Sequence, residues 1–312
     1  MKKLDEREII RILTSRLEIR EQDDVARVGR KTVIKCDMLV AKTDVPPAMG
    51  PWQVARKSIV SCASDLASKG AKPLAAMVSL GIPISCTRAY VEGLANGFAR
   101  ASREFGVKIV GGDTNEASDL IIDCCMIGTL TIRKMPMRGG AKPGDIVVLS
   151  GPFGLPAAGL SILLYNARAA GTFRRQAIES VLVPVPRQRF GAALAKFFSS
   201  SIDSSDGLAI SLYELATNAG VDFVIDSAPA ARGLEDFAME NNIDADELVF
   251  HGGEEYEIVA TIPRYNLKRA ESAAKKAKVD LRIIGNVRTG PGRVFVGKRL
   301  LENRGYVHFS SR

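Results

Sequence analysis

Carboxylates set among glycines and serines are the residues of this chain that could do chemistry. Asp113 follows Gly111 and Gly112 in "VGGDTNEASD", and "SIDSSDGL" places Asp203 and Asp206 three apart, with Ser205 between them and Gly207 after. "FHGGEEYEIV" sets Glu254 and Glu255 behind a glycine pair. Asp37 lies inside the apolar run "TVIKCDMLV", Asp65 follows "SIVSCAS", and "EQDDVARV" supplies Asp23 and Asp24. Burying a lone carboxylate is costly unless it is paired or binds a metal. Each site has a plain alternative: "SDG" as a cap and turn, "GGD" as a loop, Asp24 and Asp37 as surface acids. Taken together, oxygen donors without histidine or cysteine suit Mg²⁺ rather than zinc. An anionic ligand carried on that metal, a nucleotide above all, follows.

Absences narrow the chemistry. The two histidines, His251 and His308, are too few for a His-ligated zinc or a Ser-His-Asp triad. His251 reads as a polar loop residue. There is no G-x-x-x-x-G-K-[ST] loop and no H-R-D or D-F-G set. "GPFGLPAAG" reads as a strand-to-helix turn.

These acids need a scaffold. At 312 residues the chain exceeds what one hydrophobic core usually serves, so two domains are expected. "MRGGAKPGD" (137–145) reads as their junction, giving domains 1–137 and 138–312. Both halves mix strand and helix patterns, an α/β (α+β) organisation. In the first half, strands are expected at 32–40, 76–83, 107–112 and 120–132. Helices are expected at 52–70, with Val54, Ile59, Cys62 and Leu66 near one face, and at 88–106, where Val91, Leu94, Phe98, Ala101 and Phe105 recur at helical steps. In the second half, helices are expected near 156–170, 187–199, 206–219 and 265–277. Strands are expected from 146, at 221–226 and at 256–262, with a short terminal sheet from "LRIIGNV" and "GRVFVG".

Composition bounds partners and compartment. The formal charge of +8 is dispersed, and aromatics are only 6% with a single Trp52, so stacking platforms for nucleic acid are few. A basic balance also attracts small polyanions. A nucleic-acid binder is the alternative; it predicts salt-sensitive binding and no nucleotide turnover. Five scattered cysteines without a C-x-x-C pair read as reduced thiols, and no apolar segment follows "MKKLDEREII", so a cytoplasmic protein is expected. Ile146–Ala167 is uncharged over a length that could span a bilayer, but Gly151, Pro152, Gly154 and Pro156 interrupt it, so no membrane span is expected.

The ordered set "DD" (23–24), "DMLV" (37–40), "SDLASKGAKP" (64–73), "GGDT" (111–114), "RGGAKPGD" (138–145), "DSSDGL" (203–208) and "GGEEYE" (252–257) resembles the thiamine-monophosphate kinases, in an archaeal-like branch. Their superfamily includes aminoimidazole ribonucleotide synthetase, selenophosphate synthetase and hydrogenase-maturation proteins. The resemblance runs from about residue 20 to "GYVHF" (305–309). It implies a two-domain synthetase-type fold, a homodimer whose N-domain strands build a barrel across the two-fold, and a larger C-terminal α/β domain. It also implies the reaction of ATP with thiamine monophosphate to give ADP and thiamine diphosphate, assisted by several Mg²⁺ ions. No general base is implied, because the acceptor is already a phosphate anion.

Carried over by position, the resemblance makes Asp24, Asp37, Asp65, Asp113, Asp203 and Asp206 metal ligands. It gives Gly112, Asp113, Arg138 and Ser205 to the nucleotide, and Asp44, Glu254 and Tyr306 to the thiamine substrate. Gly112 would let the backbone approach phosphate while Asp113 holds a metal. The chain departs from the pattern at four places. Gln22 stands where relatives often have glycine before the two aspartates. Lys35-Cys36 stands where they often read Ser-Thr, Asp44 where they have a histidine, and Glu255 where Asp is usual. A related synthetase with another acceptor, and a nucleotide binder without turnover, are the alternatives within the superfamily.

Overall fold

The structure is a computed structural model that describes residues 4–19, 23–227 and 229–309. Helix α1 (Glu6–Arg16) opens with a capping box: Asp5 accepts the Glu8 amide at 2.8 Å and Glu8 accepts the Asp5 amide in return.

Five strands build the first sheet: β1 (Ala26–Val28), β2 (Thr32–Val40), β3 (Ala71–Ile82), β4 (Lys108–Glu116) and β5 (Ile121–Leu130), in the order β1-β2-β5-β3-β4. Every pairing is antiparallel except β3 with β4. The expected barrel is not closed here: the sheet is open, with β1 and β4 as its edges. A short turn of helix α2 (Ala41–Asp44) follows β2. One sheet face carries the buried side chains of Val33, Leu39, Val78, Ile122 and Met126, which pack against α3 (Pro51–Ser68); α4 (Arg88–Phe105) packs on α3. The other face is exposed.

Helix α3 departs from the one-faced expectation. It is buried nearly all round, charged residues included, because it touches strands of both sheets and helix α7 (Gln188–Leu194). Close approach requires a glycine at this junction: a Cβ on Gly191 of α7 would lie 1.9 Å from the Ala67 carbonyl oxygen.

The second sheet has seven strands: β6 (Ile146–Leu149), β7 (Ser200–Ser204), β8 (Val221–Ile225), β9 (Glu257–Ile262), β10 (Arg282–Thr289), β11 (Val294–Val296) and β12 (Arg299–Leu300), ordered β12-β11-β8-β10-β6-β9-β7. The segments expected to form a separate terminal sheet are β10 and β11 of this one. Helices α5 (Leu155–Tyr165), α8 (Leu208–Ala219) and α9 (Leu234–Glu240) cover one face; α7 and α10 (Leu267–Ala277) cover the other. With both faces covered, β6 and β9 are buried throughout; β6 is wholly apolar, and the buried Glu257 and Thr261 of β9 pair with Arg187 and Ser200. Helix α6 (Gly171–Leu182), which no strong periodicity announces, packs on α5 through Ala177. The uncharged stretch 146–167 is strand, turn and α5, and among the described residues no helix is long and apolar enough to cross a membrane.

Candidate active site

Three buried carboxylates meet where α3 crosses the edge of the second sheet. Asp65 comes from α3, Asp203 from β7, and Asp24 from the segment before β1. Each offers an oxygen within 4.8 Å of the others. Ser68, one turn after Asp65, has its hydroxyl 2.8 Å from an Asp24 oxygen. An all-oxygen donor set of this kind fits a hard divalent cation.

Cations surround the cluster. The fully buried Lys69 ammonium lies 2.6 Å from Asp23 and 3.1 Å from Asp24, and donates to the Ser201 carbonyl at 2.5 Å. Arg138 donates Nε and Nη2 to one Asp24 oxygen, at 2.8 and 2.7 Å. Lys35, on β2, lies 2.8 Å from Asp65 and 3.7 Å from Asp37. Asp23 and Asp24 thus divide their work. Asp23 accepts the amides of Asp24 and Arg138 and fixes the loop, while Asp24 faces the cluster.

The electrostatics split the three acids. Burial would raise Asp24, but Lys69 and Arg138 beside it win and hold it at about 2. Asp65 is pushed up by burial and then by Asp203; Asp203 is pushed up by burial and then by Asp24. Two carboxyls held so close share either a proton or a cation.

A second group forms beside the first. The backbone of Ser204 and Ser205 accepts the amides of Tyr256 and Glu254 at 2.8 and 2.6 Å. Glu254 and Tyr256 have φ of +70° and +52°, a left-handed conformation that such residues adopt only under constraint. Lys57 of α3 pairs with Glu254 at 2.7 Å and donates to the Asp44 carbonyl at 2.7 Å, tying two expected substrate residues to one ammonium. The Asp44 carboxylate itself accepts the Val40 amide. The Tyr306 amide donates to the Asp206 carbonyl at 3.0 Å, which brings the C-terminal segment onto the same loop. Asp206 keeps solvent contact, yet its carboxyl is pushed up to about 6 by desolvation and by the charges of Glu6 and Asp203.

Not every expected residue joins the cluster. Asp37 reaches it through Lys35, and Asp206 and Ser205 lie just beyond it on the β7 loop; Asp113 stands apart. "GGDT" is not a turn: β4 runs through it to Glu116, with Gly112 opposite Val78 and Asp113 opposite Ser79. A Cβ on Gly112 would sit 1.7 Å from the Val78 carbonyl, so strand pairing alone demands glycine there. Arg138, expected to grip phosphate, is engaged with Asp24 and lies 3.5 Å from Glu214. Lys57 and Lys69 carry no local sequence signal, because lysine is ordinarily a surface residue and their partners are distant in the chain.

Residues 21–130, which hold the first sheet and two of the three clustered acids, match the family of AIR synthase related protein, N-terminal domain. Over its whole length the chain is 40% identical to thiamine-monophosphate kinase of Nitrosopumilus maritimus, covering 99% of this chain and 100% of that one. It is 35% identical to thiamine-monophosphate kinase of Pyrococcus horikoshii, covering 94% and 91%. The structure of AaThiL complexed with AMPPCP and TMP superposes with a TM-score of 0.87 at 28% identity, covering 99% of each chain. The chain belongs to the thiamine-monophosphate kinase family.

Proposed function

We propose that this protein transfers the γ-phosphoryl group of ATP to thiamine monophosphate, giving thiamine diphosphate and ADP. The buried Asp24–Asp65–Asp203 cluster carries the reading, in a chain that matches relatives of that name end to end. The acceptor phosphate is already anionic near neutral pH, so the scarcity of histidine is no obstacle. The barrier is the meeting of two polyanions, and positioning with charge neutralisation lowers it.

Asp24, Asp65 and Asp203 would form the core of a Mg²⁺ site, extended by Asp37 and Asp206, with Asp113, apart on β4, as a ligand to a further ion. Bound there, Mg²⁺ would supply neutralisation and alignment of the phosphates. Gly112, Asp113, Arg138 and Ser205 take the nucleotide. Arg138 can turn from Asp24 toward phosphate oxygens, which its fork matches. Glu254 faces the cationic thiazolium, Tyr306 offers a ring to the substrate, and Asp44 shapes the pocket wall through Lys57. Residues 1–137 form one domain and 138–312 the other. Two copies associate in the cytoplasm through the open face of the first sheet, where Met38, Met77 and Ile127 are exposed together, to build the barrel a single chain leaves unclosed.

The test is purified protein with MgATP, with and without thiamine monophosphate, and chromatography for thiamine diphosphate, with Asp113→Asn alongside. Product from the parent chain that collapses in the variant is expected. MgATP binding without product would move the reading to a related enzyme with another acceptor.

A further inference from the structure

The acids of the site are not evenly neutralised. Asp23 and Asp24 face two cations, Lys69 and Arg138. Asp37, Asp65 and Asp203 face one, Lys35. Lys35 and Asp37 are alternate residues of β2, so both project toward α3 on the same face as the buried Val33 and Leu39. The ammonium therefore arrives beside Asp37 and directly on Asp65, within reach of oxygens that a hard cation would use. A serine here would bring an oxygen donor and no charge, whereas Lys35 brings a charge and no acceptor.

We infer that Lys35 is a resident cation of the active site, occupying the place of a divalent ion between Asp37 and Asp65. The inference rests on the metal-dependent kinase reading and deepens it. With Lys35 in place, the three carboxylates on that side retain an excess of two negative charges, which one divalent ion balances. Remove the ammonium and the excess grows, while space opens beside two carboxylates.

Mn²⁺ alone is the probe, counted by equilibrium dialysis with the free ion read by electron paramagnetic resonance. Lys35→Ser should bind about one more Mn²⁺ per chain than the parent at saturation. Lys35→Gln, which keeps more of the packing and also offers an oxygen, should do the same. Lys35→Arg, which keeps the charge, should bind the parent number. Equal counts in the parent, Lys35→Ser and Lys35→Gln overturn the inference. Product formation by the parent is measured separately. Product with equal counts removes the Lys35 assignment and leaves the kinase reading standing. An extra ion in the two neutral variants without product does the reverse.

Discussion

Asp65 and Asp203 come from opposite halves of the chain, one on a helix and one on a strand, and their carboxylates lie within 4.8 Å in a buried site. Burial and nearby negative charge push both away from ionisation. Such a pair opposes folding and is useful only to a cation. Asp203→Asn removes one charge while keeping shape. The metal-free variant should melt at or above the parent temperature, yet lose about a hundredfold or more in kcat. Thermal melts in chelator, set against turnover in Mg²⁺, check the two halves of that expectation.

Lys69 carries the opposite sign. Its ammonium is fully buried and satisfied by Asp23, Asp24 and the Ser201 carbonyl. Lys69→Met leaves two buried acids short of a partner, which costs about 3–5 kcal/mol. Denaturant unfolding should show that loss. Added Mg²⁺ should recover part of it, because a cation at the cluster replaces some of the missing charge.

The glycine of "GGDT" serves the sheet before it serves a ligand. Gly112→Ala places a methyl group into the Val78 carbonyl, so β4 must part from β3. A destabilisation of about 3 kcal/mol or more is expected, read from the denaturation midpoint. An alanine variant that melts like the parent would refute the strand-pairing account of this residue.

Far from the cluster, Arg56 donates to Glu104 at 2.9 and 2.6 Å and to the Pro184 carbonyl at 2.6 Å. The guanidinium hydrogen bonds hold the Glu104 carboxyl below its ordinary value. A depressed folded-state value gives stability that is present above the unfolded value of about 4.3 and lost as pH falls through the folded one. The Glu104 side chain is partly exposed, so solvent screens the pair, and Glu104→Gln should cost about 1 kcal/mol at pH 7. The gap to the parent should narrow below about pH 4, measured by urea unfolding at both pH values.

Much of the scaffold was legible. Apolar runs gave β2 to the residue, and helical spacing gave α3 and α4 within a residue or two. Local signals failed where tertiary pairing decides. "SSIDS" carries no strand expectation, yet β9 draws it into a strand. "GGDT" reads as a loop, yet β3 extends it. The acids themselves stood out, since carboxylates among glycines and small residues are locally conspicuous. Their counter-ions did not: nothing near Lys69 announces that Asp24 and Ser201 will meet it. The left-handed backbone at Glu254 and Tyr256 was equally silent, being imposed by carbonyls of the β7 loop.

Helix α3 lies in the cores of both sheets. It lends Ala67 to the packing of α7 and α10, and accepts the Ser201 hydroxyl at the Ser68 carbonyl, while its other residues fill the first sheet. Neither half can shed it. The chain should then unfold in one calorimetric transition despite its two sheets, and a fragment ending near residue 137 should not fold without the remainder. A protein divided by architecture is, through one shared helix, a single thermodynamic unit.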